Sequence, residues 1–281
     1  MFAGRHRREL KGSAIEITHA GTESIVIFDL DNTLILNPFM TGVFPHIQRV
    51  FSEAGEKKDY IRELQTESIR LRRAGRLVES YNWDLICSNV AYANHINVKI
   101  SVKKVVEEYN KPPFISLEPG TKELLQSLHE SNHKIVILTN GYEEYQLPVV
   151  KSLGLEEYDA FISAEKIGYI KPQPEAFELA AKPFLKHDRQ KPIVVGDSLL
   201  FDVWGASIAG YRAIWRNKDQ NDPRTVIRLS DLSVEIRQAA EKEGLASLVK
   251  CIPRKTVPVA TNLYKVNEEV KNIEASSHNE L

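Results

Sequence analysis

Three short apolar runs in this 281-residue chain each end in side chains able to do chemistry. Ile25 to Phe28 leads into Asp29 and Asp31, with Thr33 two positions on. Lys134 to Leu138 leads into Thr139, Asn140 and Gly141, and Ile193 to Val195 into Gly196, Asp197 and Ser198. Asp202 follows Asp197 by one helical turn, and Lys171-Pro172 stands in a loop between the second and third runs. If extended geometry persists past Phe28, Asp29 and Asp31 share a face, because strand side chains alternate. Two such carboxylates repel each other and lose hydration, which a chain tolerates where a cation sits between them or where they do acid–base work. Each piece also has a plainer use: Asp and Asn form turns, Thr139-Asn140-Gly141 suits a turn after a strand, and Asp197 suits a helix N-cap. Their joint occurrence is what points to a catalytic site.

The runs are β-branched and aromatic without polar alternation, as expected of strands buried on both faces. Helical spacing separates them: a helix opened by Glu118-Pro119-Gly120 and running to about His129, residues 143–153, Pro174 to about Phe184, and about Phe201 to Ala209. Short strands are expected at Ala160 to Ser163 and at Tyr211 to Trp215. This alternation predicts an α/β fold with a doubly wound parallel sheet and right-handed crossovers. In such a sheet the ends of the three runs lie on one edge, the edge where open α/β folds bind ligands.

At that edge Asp29, Asp31 and Asp197 would meet the Thr139 hydroxyl and the Lys171 ammonium. A pocket of three acids and one Lys needs a divalent cation, and all-oxygen ligation without nearby Cys or His favours Mg2+ over zinc. A metal, Lys171, Thr139 and backbone N–H groups can together hold a phosphoryl group. One carboxylate can then attack phosphorus to give an aspartyl phosphate, while the other protonates the leaving oxygen.

Composition bounds the alternatives. With 42% hydrophobic residues the chain can bury a large core, and 37 basic against 38 acidic residues give no electrostatic case for nucleic acid or an anionic membrane. Cys87 and Cys251 alone do not make a disulfide framework and suit a reducing compartment. There is no apolar run of membrane-spanning length and no signal-peptide core, so the expected location is cytoplasmic. The expected partner is a small phosphorylated substrate; oligomeric state is not legible. Residues 1–23 are polar, with a basic cluster at Arg5, His6, Arg7 and Arg8 and a candidate edge strand at Ala14 to Thr18. Residues from about 41 to 111 read as helices, with Gly55 and Gly75 where helices could stop. Beyond Leu232 one helix, Val234 to Glu243, precedes a polar stretch with the composition of a partly disordered tail. The eight histidines read as surface or helix-face residues, and Arg70, Arg72, Arg73 and Arg76 as a solvated helix face.

The set DLDNT, TNG, KP and GDSLLFD, in that order, resembles the four motifs of the haloacid dehalogenase (HAD) superfamily over about residues 24–216. Thr33 and Thr139 stand 106 positions apart, far more than the roughly 30 a crossover needs, so the helical insert resembles the family's C1-type cap. The resemblance implies a Rossmann-like HAD core at 24–37 and 115–231, a cap at 38–114, an N-terminal extension at 1–23 and a C-terminal extension at 232–281. It implies that Asp29 is the nucleophile, and that Asp31 is the general acid/base with its backbone carbonyl on the metal. Thr139 and the Asn140 amide would bind phosphate, Lys171 would steady the nucleophile and phosphate charge, and Asp197 would ligate Mg2+ with Asp29 and Asp31. Asp202 would face the metal or support the residues around it. Tyr81 and Trp83 read as cap core, although a nucleotide substrate would want such rings.

Dehalogenases of this superfamily lack the second aspartate of the first motif, since halide leaves without a proton, so Asp31 favours a phosphatase. A phosphosugar mutase is a rival, although mutases resemble DxDG where this chain has Thr33. A non-catalytic binding scaffold is the third possibility, and the intact acid set argues against it. The expected activity is Mg2+-dependent hydrolysis of a small phosphomonoester.

Overall fold

The computed structural model describes residues 24–187, 190–219 and 221–278. Nine strands are present among them: β1 Ile25–Phe28, β2 Ile35–Leu36, β3 Ser116–Leu117, β4 Lys134–Thr139, β5 Ala160–Ser163, β6 Ile193–Gly196, β7 Arg212–Arg216, β8 Val226–Arg228 and β9 Thr256–Ala260. Seven of them form one sheet in the order β5-β4-β1-β6-β7-β9-β8, and β2 pairs with β3 in a separate antiparallel ribbon. All neighbours in the large sheet are parallel except β8 and β9.

The apolar runs behave as strands covered on both sides. Val26, Phe28, Ile135, Ile137, Ile193 and Val195 pack into one core cluster, while Ile25, Ile27, Val136, Leu138 and Val194 pack into the other. Successive side chains therefore feed opposite faces, as the pleat requires. Helices Thr121–Glu130, Glu143–Ser152 and Leu263–His278 contribute to the first cluster. Helices Pro174–Ala181, Gly205–Ile208 and Ser233–Lys242 contribute to the second. This is the doubly wound arrangement that the alternation predicts.

Register matters most for the site. Phe28 lies beside Ile137 on one side and Val195 on the other, so β1, β4 and β6 end side by side. In the large sheet the chain runs from central β1 to β4 and β5 on one flank and then crosses back to β6 on the other, a reversal that opens a crevice at the carboxyl ends.

Between β2 and β3 the chain folds into helices Phe44–Ala54, Tyr60–Arg73, Trp83–Ala93 and Val102–Tyr109. Local signals set their ends. Asp59 accepts from Arg62 N and Asn82 from Leu85 N as N-caps, and Gly75 takes φ +77° after the second helix. Phe51, Tyr60, Leu64, Leu71 and Ile86 are buried where these helices pack. No helix of the described residues is long and apolar enough to cross a membrane.

The structure corrects three expectations. The tail after Leu232 is ordered well beyond one helix: β9 inserts between β7 and β8, and Leu263–His278 is helical with Leu263, Val266 and Val270 buried. Pro258 within β9 disguises the strand, and the helix carries too few apolar residues to announce itself. Arg72 is not solvated; it is 7% exposed and bonds the backbone and carboxylate of Glu243, linking the insertion to helix Ser233–Lys242 just before it. His133 is not a surface residue either, since it is buried at the start of β4 with Nδ1 near Leu128 O at 3.1 Å and Nε2 2.8 Å from Glu274 Oε1. The Arg5–Arg8 cluster and the Ala14–Thr18 strand lie outside the described residues.

Burial works against charge on His133, but the Glu274 hydrogen bond and charge outweigh it, and the pKa lies above its ordinary 6.5. Such a group stabilises the fold fully below the unfolded value and loses that contribution as pH rises through the folded one. Glu274→Gln is therefore expected to lower Tm by a few degrees at pH 6, the usual yield of about 1 kcal/mol in a domain of this size. The gap should close toward pH 9; calorimetry of both proteins across that range checks it, and a gap that does not change with pH refutes the ion pair.

Candidate active site

Asp29 follows directly on β1, its N–H donating to Val195 O at 2.9 Å so that the sheet still fixes its backbone. The chain then turns sharply: Leu34 N and Ile35 N both donate to Leu30 O, and Asn32 sits at φ +63°. Asn is one of the few side-chain-bearing residues that enter this region readily. The turn leaves Asp29 and Asp31 lining one cavity of about 290 Å3 together with Asn140, Lys171, Asp197, Ser198 and Asp202. The sequence-expected acids thus meet at one sheet edge.

Their contacts are specific. Lys171 Nζ lies 2.5 Å from Asp29 Oδ1 and 2.7 Å from Asp202 Oδ1, and both Lys171 and Asp202 are almost fully buried. The second oxygen of Asp29 accepts from Thr33 Oγ1 at 2.9 Å, and that of Asp202 from Ser198 N at 3.0 Å. Asp202 is seated against Gly196, where a Cβ would stand 2.2 Å from its Cγ. Asp197 is placed by the backbone, its carbonyl accepting from Trp215 Nε1 at 2.9 Å.

Asp29, Asp197 and Asp202 each offer a carboxylate oxygen within 4.8 Å of the others. Burial first, then the charges of Asp29 and Asp202, push Asp197 up to about 8. Burial likewise raises Asp202, to about 6, although Lys171 opposes it. Lys171 moves the other way: burial would lower it, but Asp202 and Asp29 hold it above its ordinary value. One ammonium thus bonds two carboxylates, and the third feels Lys171 and Lys218 through their charge, which does not outweigh its burial. Among the described residues no hydrogen bond or ion pair engages the Asp197 carboxylate, so this crowded all-oxygen set fits a hard divalent cation. The carboxylate cluster takes Asp202 where the sequence expectation had Asp31. The resemblance gave Asp31 a backbone carbonyl contact, which the carboxylate geometry does not address.

Asp31 is held apart from the cluster. Gln146 Nε2 donates to its Oδ2 at 2.7 Å and Asn37 also acts on the carboxyl, while Oδ1 is buried with no hydrogen-bond partner of good geometry among the described residues. Burial and the Asp29 charge raise its carboxyl to about 6. Gly141 makes room for this contact, because a Cβ there would stand 2.4 Å from Gln146 Nε2. Sequence reasoning missed Gln146, whose one visible signal is a polar side chain on the buried face of helix Glu143–Ser152.

The second motif is used differently from the expectation. The Asn140 side chain accepts from Lys171 N at 2.7 Å and donates to Lys171 O at 3.0 Å and Tyr81 Oη at 3.1 Å. With both amide hydrogens committed, it positions Lys171, and its backbone N–H is the group left to meet a phosphate. Thr139 is 2% exposed and does not line the cavity; its hydroxyl accepts from Gly141 N at 3.1 Å. Tyr81 and Trp83 are not simply core, for both line the cavity.

A model of the haloacid dehalogenase-like hydrolases matches residues 24–210. The chain belongs to that family. As a HAD-like hydrolase it is 33% identical over 100 residues to the pyrimidine 5'-nucleotidase YjjG of Escherichia coli, 35% of this chain and 44% of YjjG. It is 28% identical over 200 residues to (S)-2-haloacid dehalogenase 2 of Pseudomonas sp. (strain CBS-3), 70% of this chain and 84% of that enzyme. The chain thus spans less than half of YjjG but most of the dehalogenase. In fold it is similar to the HAD phosphatase from Thermococcus onnurineus, with a TM-score of 0.60 and 22% identity over 88% of this chain and 97% of that one. The helical insertion stands where HAD proteins of the C1-capped subgroup carry their cap.

Gly196→Ala tests how the site is built. The added methyl cannot coexist with Asp202 as seated, and overpacking costs about 1–3 kcal/mol even before the Lys171 pair is disturbed. Urea denaturation is expected to show a loss of at least that size, and an unchanged midpoint would mean that Asp202 is not packed on Gly196.

Proposed function

We propose that this HAD-like hydrolase is a Mg2+-dependent phosphatase that cleaves small phosphomonoesters through an aspartyl-phosphate intermediate. The observation that carries it is Asp31: a second carboxyl beside the nucleophile, one oxygen held by Gln146 and the other with no hydrogen-bond partner of good geometry among the described residues. A halide needs no proton to leave, whereas an alkoxide does.

Mg2+ would be held by Asp29, Asp197 and the backbone carbonyl of Asp31, and when bound it would offset the crowded carboxylates and draw charge from the phosphoryl oxygens. The Lys171 ammonium and the backbone N–H of Asn140 orient the phosphoryl group. Asp29 attacks phosphorus, the bond to the leaving oxygen breaks, and Asp31 Oδ1 gives that oxygen a proton. In the second half Asp31 takes a proton from water, the water oxygen attacks the same phosphorus, and the bond to Asp29 breaks to release phosphate. Thr33, on the second oxygen of Asp29, keeps the attacking carboxylate aimed.

Residues 38–114 would act as the cap over this site, on a core at 24–37 and 115–231. The partner is a small phosphorylated metabolite, with neither nucleic acid nor membrane. Cys87 and Cys251 are both free, which supports a cytoplasmic setting. The similarity to a haloacid dehalogenase over most of its length favours a second reading, carbon–halogen hydrolysis, in which Asp31 would be idle.

Asp29→Asn is expected to abolish phosphate release from a metabolite panel while leaving circular dichroism and Tm nearly unchanged. Asp31→Asn should lower kcat by roughly 10²–10⁴, the usual worth of a general acid–base group. Phosphate assays with and without EDTA check both; phosphate release by Asp29→Asn, or chloride release from 2-chloropropionate in its place, defeats the proposal.

A further inference from the structure

The walls of the same cavity limit what can be attached to the phosphate. Four carboxylates line it, and among the described residues that do so Lys171 is the single cation, already committed to Asp29 and Asp202. The other cations of this region are paired and do not line the cavity, although Arg216 and Lys218 also act on Asp197 through their charge. Arg72 lies over the Tyr81 ring but bonds Glu243 and Ser68, while Arg216 and Lys218 both pair with Glu118.

Away from the acids the wall is mostly apolar and aromatic, with Phe39, Met40, Phe44, Tyr81, Trp83 and Phe201, and its uncharged polar members include Asn32 and Asn37. The rings are braced edge to face, with Phe44 and Trp83 centroids 4.8 Å apart at 69° and Phe39 and Phe44 5.5 Å apart at 65°. A carboxylate or second phosphate on the substrate would lose hydration against ring faces that are themselves electron-rich, in the field of the acid cluster and with the one lining ammonium already shared by two acids. An uncharged apolar group meets no such penalty and gains by leaving water.

We infer, on the basis of the phosphatase reading above, that the site selects esters of a single phosphoryl group whose leaving alcohol is uncharged and apolar or aromatic. Diphosphates, bisphosphates and phosphorylated acids are disfavoured, as are haloacids, which also carry a carboxylate.

The test compares kcat/KM for phosphate release with Mg2+ from phenyl phosphate, 4-carboxyphenyl phosphate and pyrophosphate. The carboxylate withdraws electrons and makes the leaving group better, so intrinsic reactivity favours the charged ester. The expected result is the reverse, a preference of at least tenfold for phenyl phosphate over each of the others. Met40→Lys, at a residue 63% exposed, should narrow the preference over the carboxyphenyl ester several-fold, and Trp83→Ala should raise KM for phenyl phosphate more than it lowers kcat. Equal or faster turnover of the carboxyphenyl ester or pyrophosphate overturns the selectivity and leaves the phosphatase standing. An unchanged KM in Trp83→Ala overturns the role of the rings. Failure of the wild-type protein to release phosphate from any of the three compounds overturns the phosphatase reading and the selectivity with it.

Discussion

A buried ammonium shared by two carboxylates sets the geometry of this protein's active edge. Lys171 lies between Asp29 and Asp202 with almost no access to water, so each group depends on the others for charge compensation. Stripping such groups of water costs several kcal/mol each, and only close, well-directed contacts offset it. The backbone around Lys171 is fixed to match: Asn140 bonds its N–H and its carbonyl, and Gly205 lets a helix approach so closely that a Cβ there would stand 2.9 Å from Pro172 Cα. The ammonium bonds two acids and leaves Asp197 over, and that imbalance makes the cluster one that could hold a cation.

The same economy of space separates Asp29 from Asp31, the two carboxyls proposed to do the chemistry. Asp29 faces Lys171 and Thr33, whereas Asp31 faces Gln146 and is pushed by burial and the Asp29 charge toward its protonated form. Neighbouring carboxyls with opposed environments divide the roles of nucleophile and proton donor without further machinery. Gly196 and Gly141 are where this is negotiated sterically, one admitting Asp202 and the other Gln146.

The helical insertion is tied to this edge at several points rather than simply placed over it. Tyr145 Oη, from the core, donates to Asp84 Oδ2 at 2.6 Å, Asn110 Nδ2 donates to Pro148 O at 3.0 Å, and Arg72 reaches Glu243. Tyr81 joins the two most directly, for its hydroxyl meets the Asn140 side chain that clamps Lys171. The rings that would contact a leaving group are thereby in register with the acids that would cleave it.

What the sequence determined by itself is local: which runs are strands, on which edge they end, and which acids and ammonium stand there. Apolar periodicity and the residues that punctuate it are written within a few positions of each other, and the parallel topology then aligns the strand ends. Tertiary structure alone decided the partners. Lys171 meets Asp29 across 142 positions, Asp31 meets Gln146 across 115, and Asn140 spends its side chain on Lys171 instead of phosphate. β9 and the helix after it were equally hidden, because a proline-bearing strand and a mostly polar helix gain their stability only by docking on a sheet already formed. Which groups share a buried charge depends on how crossovers bring distant segments together, and no spacing along the chain encodes that.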